Sequence, residues 1–301
     1  MEEIYSYYKE NIDAYTRRLG NLKKKIHLMG SIRLALVAGA ILSLWIFRDE
    51  SWQWLTGITF AYIIPFALLM WYHNKMYARK VYAETLIKLN EDELKGLDYD
   101  FSAFDGAADK ISGEHSFCLD LDVLFQSLNR TVTGFGRERL AGWFSNPLTD
   151  KKEIVKRQEA VKELAALSAL RQHFYVTGII RQDTQDTRDN DINFMDRLTQ
   201  RKHKFVDSLP WKLLIWAVPV LWIVLGIAYS LDWISGSLLN IYFLITLVIA
   251  YGRAKEINAL YATVNKMESI FNRYSKLMQC VEEDNFQSEE LKEISGQLAN
   301  E

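Results

Sequence analysis

The residue types that most often carry chemistry are present in this chain, but their spacing works against it. The five histidines, His27, His73, His115, His173 and His203, have no second histidine at i+3 or i+4. Zinc sites on a helix need that spacing to put two imidazoles on one face. Cys118 and Cys280 stand alone and read as small buried or half-buried side chains, not as a disulfide. Asp120 and Asp122 are two apart and fall on different faces of a helix, a poor carboxylate dyad. The acidic run Gly96 to Gly106 resembles a calcium loop only loosely, with no glycine at its sixth position and no glutamate at its twelfth. There is no G-x-x-x-x-G-K-[ST] phosphate loop, no G-x-G-x-x-G and no G-x-S-x-G elbow. Gly134 and Gly136 lack a third glycine and follow no strand pattern. The chain by itself is expected to carry no catalytic, cofactor or metal site.

The polar residues with a clear local role are caps and turns. Leu119, Val123, Leu124 and Leu128 form one helical face. The polar turn Asn129-Arg-Thr-Val-Thr-Gly-Phe-Gly136 follows, with Thr133 as a candidate N-cap. A short helix is predicted over Arg137 to Phe144, ended by Pro147. Asp150, with Glu153 three residues on, starts the next helix in the manner of a capping box. That helix carries Ile154, Val161, Leu164 and Leu167. Residues 94–114 read as a linker, and Arg181 to Asn193 as a polar loop.

The elements that would position this region are longer and more apolar. Hydrophobic residues make up 49% of the 301, charged residues 25%, and the net charge is −2. With a mean hydropathy of −0.10 and a pI near 6.3, those averages exclude a disordered chain, a disulfide scaffold, a collagen-like repeat and a strongly basic nucleic-acid binder. They do not exclude a membrane protein, because averages hide segregation. The apolar residues are concentrated in four blocks, 31–47, 54–72, 213–231 and 234–251. A bilayer core of roughly 30 Å needs about 20 apolar residues in a helix. The last three blocks meet that; the first needs Arg33 to snorkel toward the headgroups.

The flanks favour insertion. Trp45, Trp52, Trp54, Trp71, Tyr72, Trp211, Trp233 and Tyr251 sit at block ends, as an aromatic belt would. Arg17, Arg18, Lys23, Lys24, Lys25 and Arg33 precede block one with no acid among residues 17–33. Lys75, Arg79 and Lys80 follow block two, Arg201, Lys202, Lys204 and Lys212 precede block three, and Arg253 and Lys255 follow block four. The short loops 48–53 and 232–233 hold only Arg48 against Asp49, Glu50 and Asp232. The positive-inside rule then puts both loops outside and every large segment, with both termini, in the cytoplasm. The expectation is a multi-pass protein of the cytoplasmic (inner) membrane. Buried core helices of a soluble protein would leave the charge asymmetry to coincidence. Apart from Arg33 the blocks hold no ionisable group, so they read as anchors and not as a transport path. Pro65 and Pro219 lie inside spans two and three.

Two long seams flank the spans. Tyr5, Tyr8, Ile12, Tyr15, Leu19, Leu22, Ile26 and Met29 recur at alternating +3 and +4, and so do Ile257, Leu260, Val264, Met267, Phe271, Tyr274, Met278 and Val281. The first seam packs on the stretch Tyr77, Val81, Leu86 and Leu89 in an antiparallel pair, or in a dimeric coiled coil; the intrachain pair is the simpler reading.

From Leu124 to Leu164 the sequence resembles the core (lever) domain of the MutS family of DNA mismatch-repair ATPases. The carrying residues are Leu124-Phe-Gln-Ser-Leu-Asn-Arg-Thr-Val-Thr-Gly-Phe-Gly-Arg-Glu-Arg-Leu-Ala-Gly-Trp143, then Asn146-Pro-Leu-Thr-Asp150, then Ile154-Val-Lys-Arg-Gln-Glu-Ala-Val161. The matching positions are Asn129, Thr131, Thr133, Gly136, Arg137, Leu140, Trp143, Pro147, Asp150, Arg157 and Val161. They read as structural: the polar ones cap and turn, Trp143 packs, and Arg157 reaches a helix C-terminus or a neighbouring acid. The resemblance implies a domain that passes ATP state to DNA-contacting parts, with ATP and Mg held by an ATPase domain expected beyond residue 301, across a homodimer. The family's mismatch-reading domain has no counterpart here, and spans three and four lie where the family inserts its DNA clamp.

The expected fold is all-α, two transmembrane helical hairpins plus a cytoplasmic MutS-core-like domain. Its parts are 1–93, arms and first hairpin; 94–114, linker; 115–205, core; 206–254, second hairpin; and 255–301, a returning lever-type helix. The last ends in an amphipathic segment, as a fragment would. The expected function is the anchoring and regulatory half of a membrane-bound MutS-like ATPase, with the lipid bilayer as partner and DNA as a possible one. The alternative is a membrane scaffold that keeps the lever fold without DNA function.

Overall fold

The computed structural model describes residues 2–49, 51–106, 121–180, 209–231 and 233–299. Residues 107–120, with His115, Cys118 and Asp120, lie outside the described residues. So do the expected loop 181–193 and the basic cluster Arg201, Lys202, His203 and Lys204. Every regular element among the described residues is an α-helix. In chain order these are α1 (Glu2–Ile46), α2 (Trp52–Leu97), α3 (Leu121–Leu128), α4 (Gly134–Ser145), α5 (Lys151–Ala166), α6 (Ser168–Ile179), α7 (Leu209–Ser230), α8 (Gly236–Glu282) and α9 (Glu289–Ala299). The chain divides into two compact units, residues 1–185 with 276–301, and residues 186–275.

In the first unit α1 and α2 form an antiparallel pair. Three rungs set the register: Lys23 Nζ to Glu84 at 3.7 Å, Arg33 to Met70 at 3.5 Å and Ser43 to Tyr62 at 3.0 Å. Leu22, Ile26 and Met29 of the first seam close on Met76, so those seam positions are used within the chain. α1 and Gln53–Leu97 of α2 are long and apolar enough to cross a membrane, with 18-residue windows of mean hydropathy 1.8 and 1.6. Within those windows only 6% and 0% of the residues are buried. Apolar length and an exposed apolar surface thus coincide. α2 runs on through Pro65.

The far half of α2 has the opposite character. Ala83, Leu86, Leu89 and Asn90 are buried, and Leu86 and Leu89 cluster with Val176 of α6, flanked by Tyr15, Tyr82, Tyr175 and Ile180. Residues 94–97, read above as the start of a linker, are the last turn of α2. Tyr99 follows with φ 62°, a left-handed turn that reverses the chain.

Phe125 of α3 is fully buried against Ala141, with Leu121, Leu140 and Phe144 around it. The sequence ran one helix past Asp150; the structure breaks it at Leu167 into α5 and α6. The stretch 255–301 is likewise two helices, since α8 stops at Glu282 and α9 starts at Glu289.

In the second unit α7 and the start of α8 meet through Trp222, whose ring lies 5.4 Å from Tyr242. Tyr242 Oη donates to the Val218 carbonyl at 3.1 Å. Block four forms the first part of α8, Gly236–Gly252, which is bent by 58° from the part that follows, Ile257–Glu282.

Candidate functional site

The polar turn between α3 and α4 is the joint of the first unit. Asn129 is buried and uses both ends of its amide. Its Oδ1 accepts from the Thr131 N–H at 3.1 Å and the Thr131 hydroxyl at 2.7 Å, and its Nδ2 donates to the Asp105 carbonyl at 2.9 Å. Asn129 therefore shapes the turn and also holds the strap 98–106. Gln126 donates to the Phe104 carbonyl at 2.8 Å, and Arg137 donates to the Gly106 carbonyl at 2.5 Å. Thr133 is the N-cap of α4 and accepts from the Gly136 N–H at 3.1 Å. A Cβ at Gly136 would stand 3.0 Å from that hydroxyl. Leu140 faces the Phe125 cluster.

Arg130, next to Asn129, makes the strongest polar contact of the joint. Its Nε donates to Glu93 Oε1 at 2.6 Å and its Nη2 to Glu93 Oε2 at 3.1 Å. Its Nη1 donates to the Ser127 and Asn129 carbonyls, and the guanidinium lies 3.3 Å from the Phe104 ring centroid. This two-point fork ties the end of α2 to the α3–α4 turn. Asn90, one turn earlier on α2, accepts from Gln172 of α6 at 2.8 Å. Tyr82 and His173 are 2.9 Å apart. Val132 packs so tightly on Gly178 of α6 that a Cβ there would lie 2.4 Å from Val132 Cγ2.

A second group sits on α5 and α9. Trp143, Pro147, Arg157 and Val161 line one open groove. The Trp143 ring is only partly covered, with the Arg157 guanidinium 4.2 Å from its centroid. Arg157 Nε reaches the acid Glu290 at 3.8 Å, one of the two partners expected for it. Asp150 caps α5, accepting from the Lys152 N–H at 3.2 Å. Lys156 donates to Glu289 at 2.7 Å, and that bond raises the lysine's pKa. Glu163 does more: its two oxygens accept the N–H groups of Gln287 at 2.6 Å and Ser288 at 2.7 Å. It thereby caps the start of α9 from another helix. The Ser288 and Gln287 hydrogen bonds hold its carboxyl below the ordinary 4.5.

Between these groups lies a cavity of about 310 Å³, lined chiefly by apolar side chains, among them Tyr8, Leu89, Tyr175, Phe286 and Leu291. Burial, then the charge of Glu93, raises the Tyr8 pKa. Burial also raises the thiol of Cys280, which is buried. Among the described residues no three His, Cys, Asp or Glu stand close enough to hold a metal. The arrangement couples helices to one another: α2 to the turn and α6, and α5 to α9.

The eleven residues singled out from the sequence therefore fall in two places. Asn129, Thr131, Thr133, Gly136, Arg137 and Leu140 gather at the joint, and Trp143, Pro147, Arg157 and Val161 at the groove, with Asp150 at the head of α5. Sequence reasoning passed over Arg130, Glu93, Glu163 and Gly178. Their partners lie 37, 124 and 46 positions away, and no local pattern marks them.

Comparison with known proteins adds the family. The model of MutS domain III matches residues 112–300. The DNA mismatch repair protein MutS of Persephonella marina is 45% identical over 49 residues, 16% of this chain and 6% of that protein. The chain thus matches only a small part of that relative's length. No solved structure matches.

Proposed function

The chain belongs to the MutS family through its domain III, and from that premise we propose that it is a membrane-anchored MutS-like protein. In this reading both hairpins, spans 31–47 with 54–72 and 213–231 with 234–251, sit in the cytoplasmic membrane. The parts of domain III outside the second hairpin, and both termini, lie in the cytoplasm. The domain relays the state of an ATPase part, holding ATP and Mg, to DNA or another partner near the membrane, in a homodimer. The proposed boundaries keep 1–93 as arms and first hairpin and 206–254 as second hairpin.

One observation carries the proposal. α2 is a single helix of 46 residues, about 69 Å long at 1.5 Å per residue. Its first half exposes apolar side chains, and its second half is built into the domain through Leu86, Asn90 and Glu93. A continuous helix is stiff, so a shift at the Arg130–Glu93 joint moves the apolar half with it. Aromatic side chains at the ends of that half, Trp54 and Trp71, are 67% and 65% exposed, which suits a membrane–water interface.

The test is fractionation of the full-length protein. It should stay with membranes through an alkaline carbonate wash and come off in detergent; release by carbonate ends the reading. The reading frame past Glu301 is expected to encode a phosphate-binding loop. DNA binding should weaken steeply with salt. No binding to mismatched, junction or plain duplex would leave the scaffold alternative.

A further inference from the structure

We propose that the basic collar at the edge of the first hairpin is a binding site for anionic phospholipid headgroups. This rests on the membrane reading and adds a lipid preference to it. The register rungs Arg33–Met70 and Lys23–Glu84 bracket residues 23–33 of α1 and 70–84 of α2. Those two segments hold seven cations, Lys23, Lys24, Lys25, Arg33, Lys75, Arg79 and Lys80, against one carboxylate, Glu84, in a chain whose net charge is −2. Lys23 and Lys80 share that carboxylate at 3.7 and 3.6 Å. The exposed Lys24, Lys25, Lys75 and Arg79 have no carboxylate partner among the described residues. Among the described residues Arg33 meets only the weak sulfur acceptor of Met70.

Topology alone asks only for more positive charge on one side than on the other. It does not ask for a cluster left without counter-charge in the folded pair. Packed this closely, the cations repel one another unless anions approach, and headgroups lie at the right level. Arg33 adjoins the exposed Leu34 and, through Met70, the exposed Trp71 and Tyr72. The rungs are ten residues apart on α1, about 15 Å. The whole collar thus stands within the headgroup layer or about one to two Debye lengths of it.

The side chains also lean that way. Lys75 Nζ lies 5.6 Å from the Trp71 ring and Lys80 Nζ 5.2 Å from the Tyr77 ring. In both pairs the ring is nearer the apolar end of α2 than the lysine is. The ammonium groups are thus drawn toward the apolar end, the level at which headgroups would lie. A nucleic-acid duplex fits the surface poorly, since it would press against the exposed Leu34 and Leu68 to reach Arg33.

The experiment uses the full chain in nanodiscs of equal phosphatidylglycerol and phosphatidylcholine. The lipids still bound after mild detergent release are counted by native mass spectrometry. The ratio of phosphatidylglycerol to phosphatidylcholine among the bound lipids should exceed the bulk ratio about tenfold, given the pull of each basic residue on an anionic surface. The enrichment should fall with salt and in the variant K24Q/K25Q/K75Q/R79Q, whose helix content is checked by circular dichroism. The charge-keeping variant K24R/K25R/K75R/R79K should retain it. A bulk lipid ratio, or equal enrichment in the charge-free variant, overturns the proposal while leaving the membrane reading standing. Failure to enter the nanodiscs at all overturns the membrane reading itself, and this proposal with it.

Discussion

The two ends of the α1–α2 hairpin are built on opposite rules. At the far end of α2, Leu86 and Asn90 are almost wholly enclosed, and both ends of the Asn90 amide are hydrogen-bonded. At the apolar end most large side chains point away from the pair, and the helices meet through the Ser43–Tyr62 hydroxyl pair and the weak Arg33–Met70 contact. A helix pair in water must bury its apolar face to persist. A pair in lipid needs only to satisfy its polar groups and fit its small residues. On the proposed membrane reading the difference between the two ends is a difference of solvent, and substitutions should cost much at one end and little at the other.

The sharpest break is Gly178→Ala. The new methyl would lie 2.4 Å from Val132 Cγ2 and 2.5 Å from Val132 Cβ. Valine is branched at Cβ and cannot swing aside, so the α6 backbone must move. Overpacking of this kind costs about 1–3 kcal/mol, and this site belongs at the upper end of that range. Thermal unfolding of the full chain in detergent should show the loss, and the double variant G178A/V132A should recover most of it. A single variant as stable as the parent would mean that the joint is not tight.

Arg130→Met comes next. It leaves Glu93 without its fork in a site where the two side chains are 29% and 20% exposed. A fully buried broken pair costs more, and partial exposure lowers the figure to about 1–2 kcal/mol. Arg130→Lys keeps the charge but not the two-point geometry, and should fall between. Denaturant titration orders the three proteins, and equal midpoints would show that the fork adds nothing to stability.

How much of this could be read beforehand depends on how local each signal is. The caps at Thr133 and Asp150 were legible because a cap is chosen by residues within three positions of it. The apolar blocks were legible because hydropathy needs no partner. The break at Leu167 was not: Ala166-Leu-Ser168 contains neither glycine nor proline, and nothing local ends α5 there. Glu163 was missed for a related reason, because the two N–H groups it caps belong to residues 287 and 288. Trp143 packs on the Arg157 guanidinium and stays half-open, and hydrophobicity alone does not say whether a cation or an apolar neighbour covers a ring.

Glu163, on α5, gives a smaller, pH-dependent effect. Its folded pKa lies below the ordinary 4.5 because the Ser288 and Gln287 hydrogen bonds favour the carboxylate. The sign follows from linkage: the contribution is whole above the unfolded value and is lost as pH falls through the folded one. Amide exchange in α9 should therefore quicken as pH drops below about 4.5 relative to that in α3 and α4, after correction for intrinsic rates. Glu163→Gln should quicken it at neutral pH and flatten the profile. Unchanged α9 protection in the variant would show that α9 is held by other contacts alone.

The smallest effect belongs to the apolar end. Tyr62→Phe removes the 3.0 Å contact with Ser43 and little else. In water a lost hydroxyl pair leaves one group to find a new partner, and in lipid Ser43 can turn back to a carbonyl of its own helix. Such interhelical bonds average roughly 0.6 kcal/mol in a bilayer. The variant should therefore unfold in detergent within about that margin of the parent. A loss as large as that of Gly178→Ala would mean that Tyr62 is buried in the working protein, in a dimer or beneath the second hairpin. The contrast between the two ends would then belong to the isolated chain and not to the assembled one.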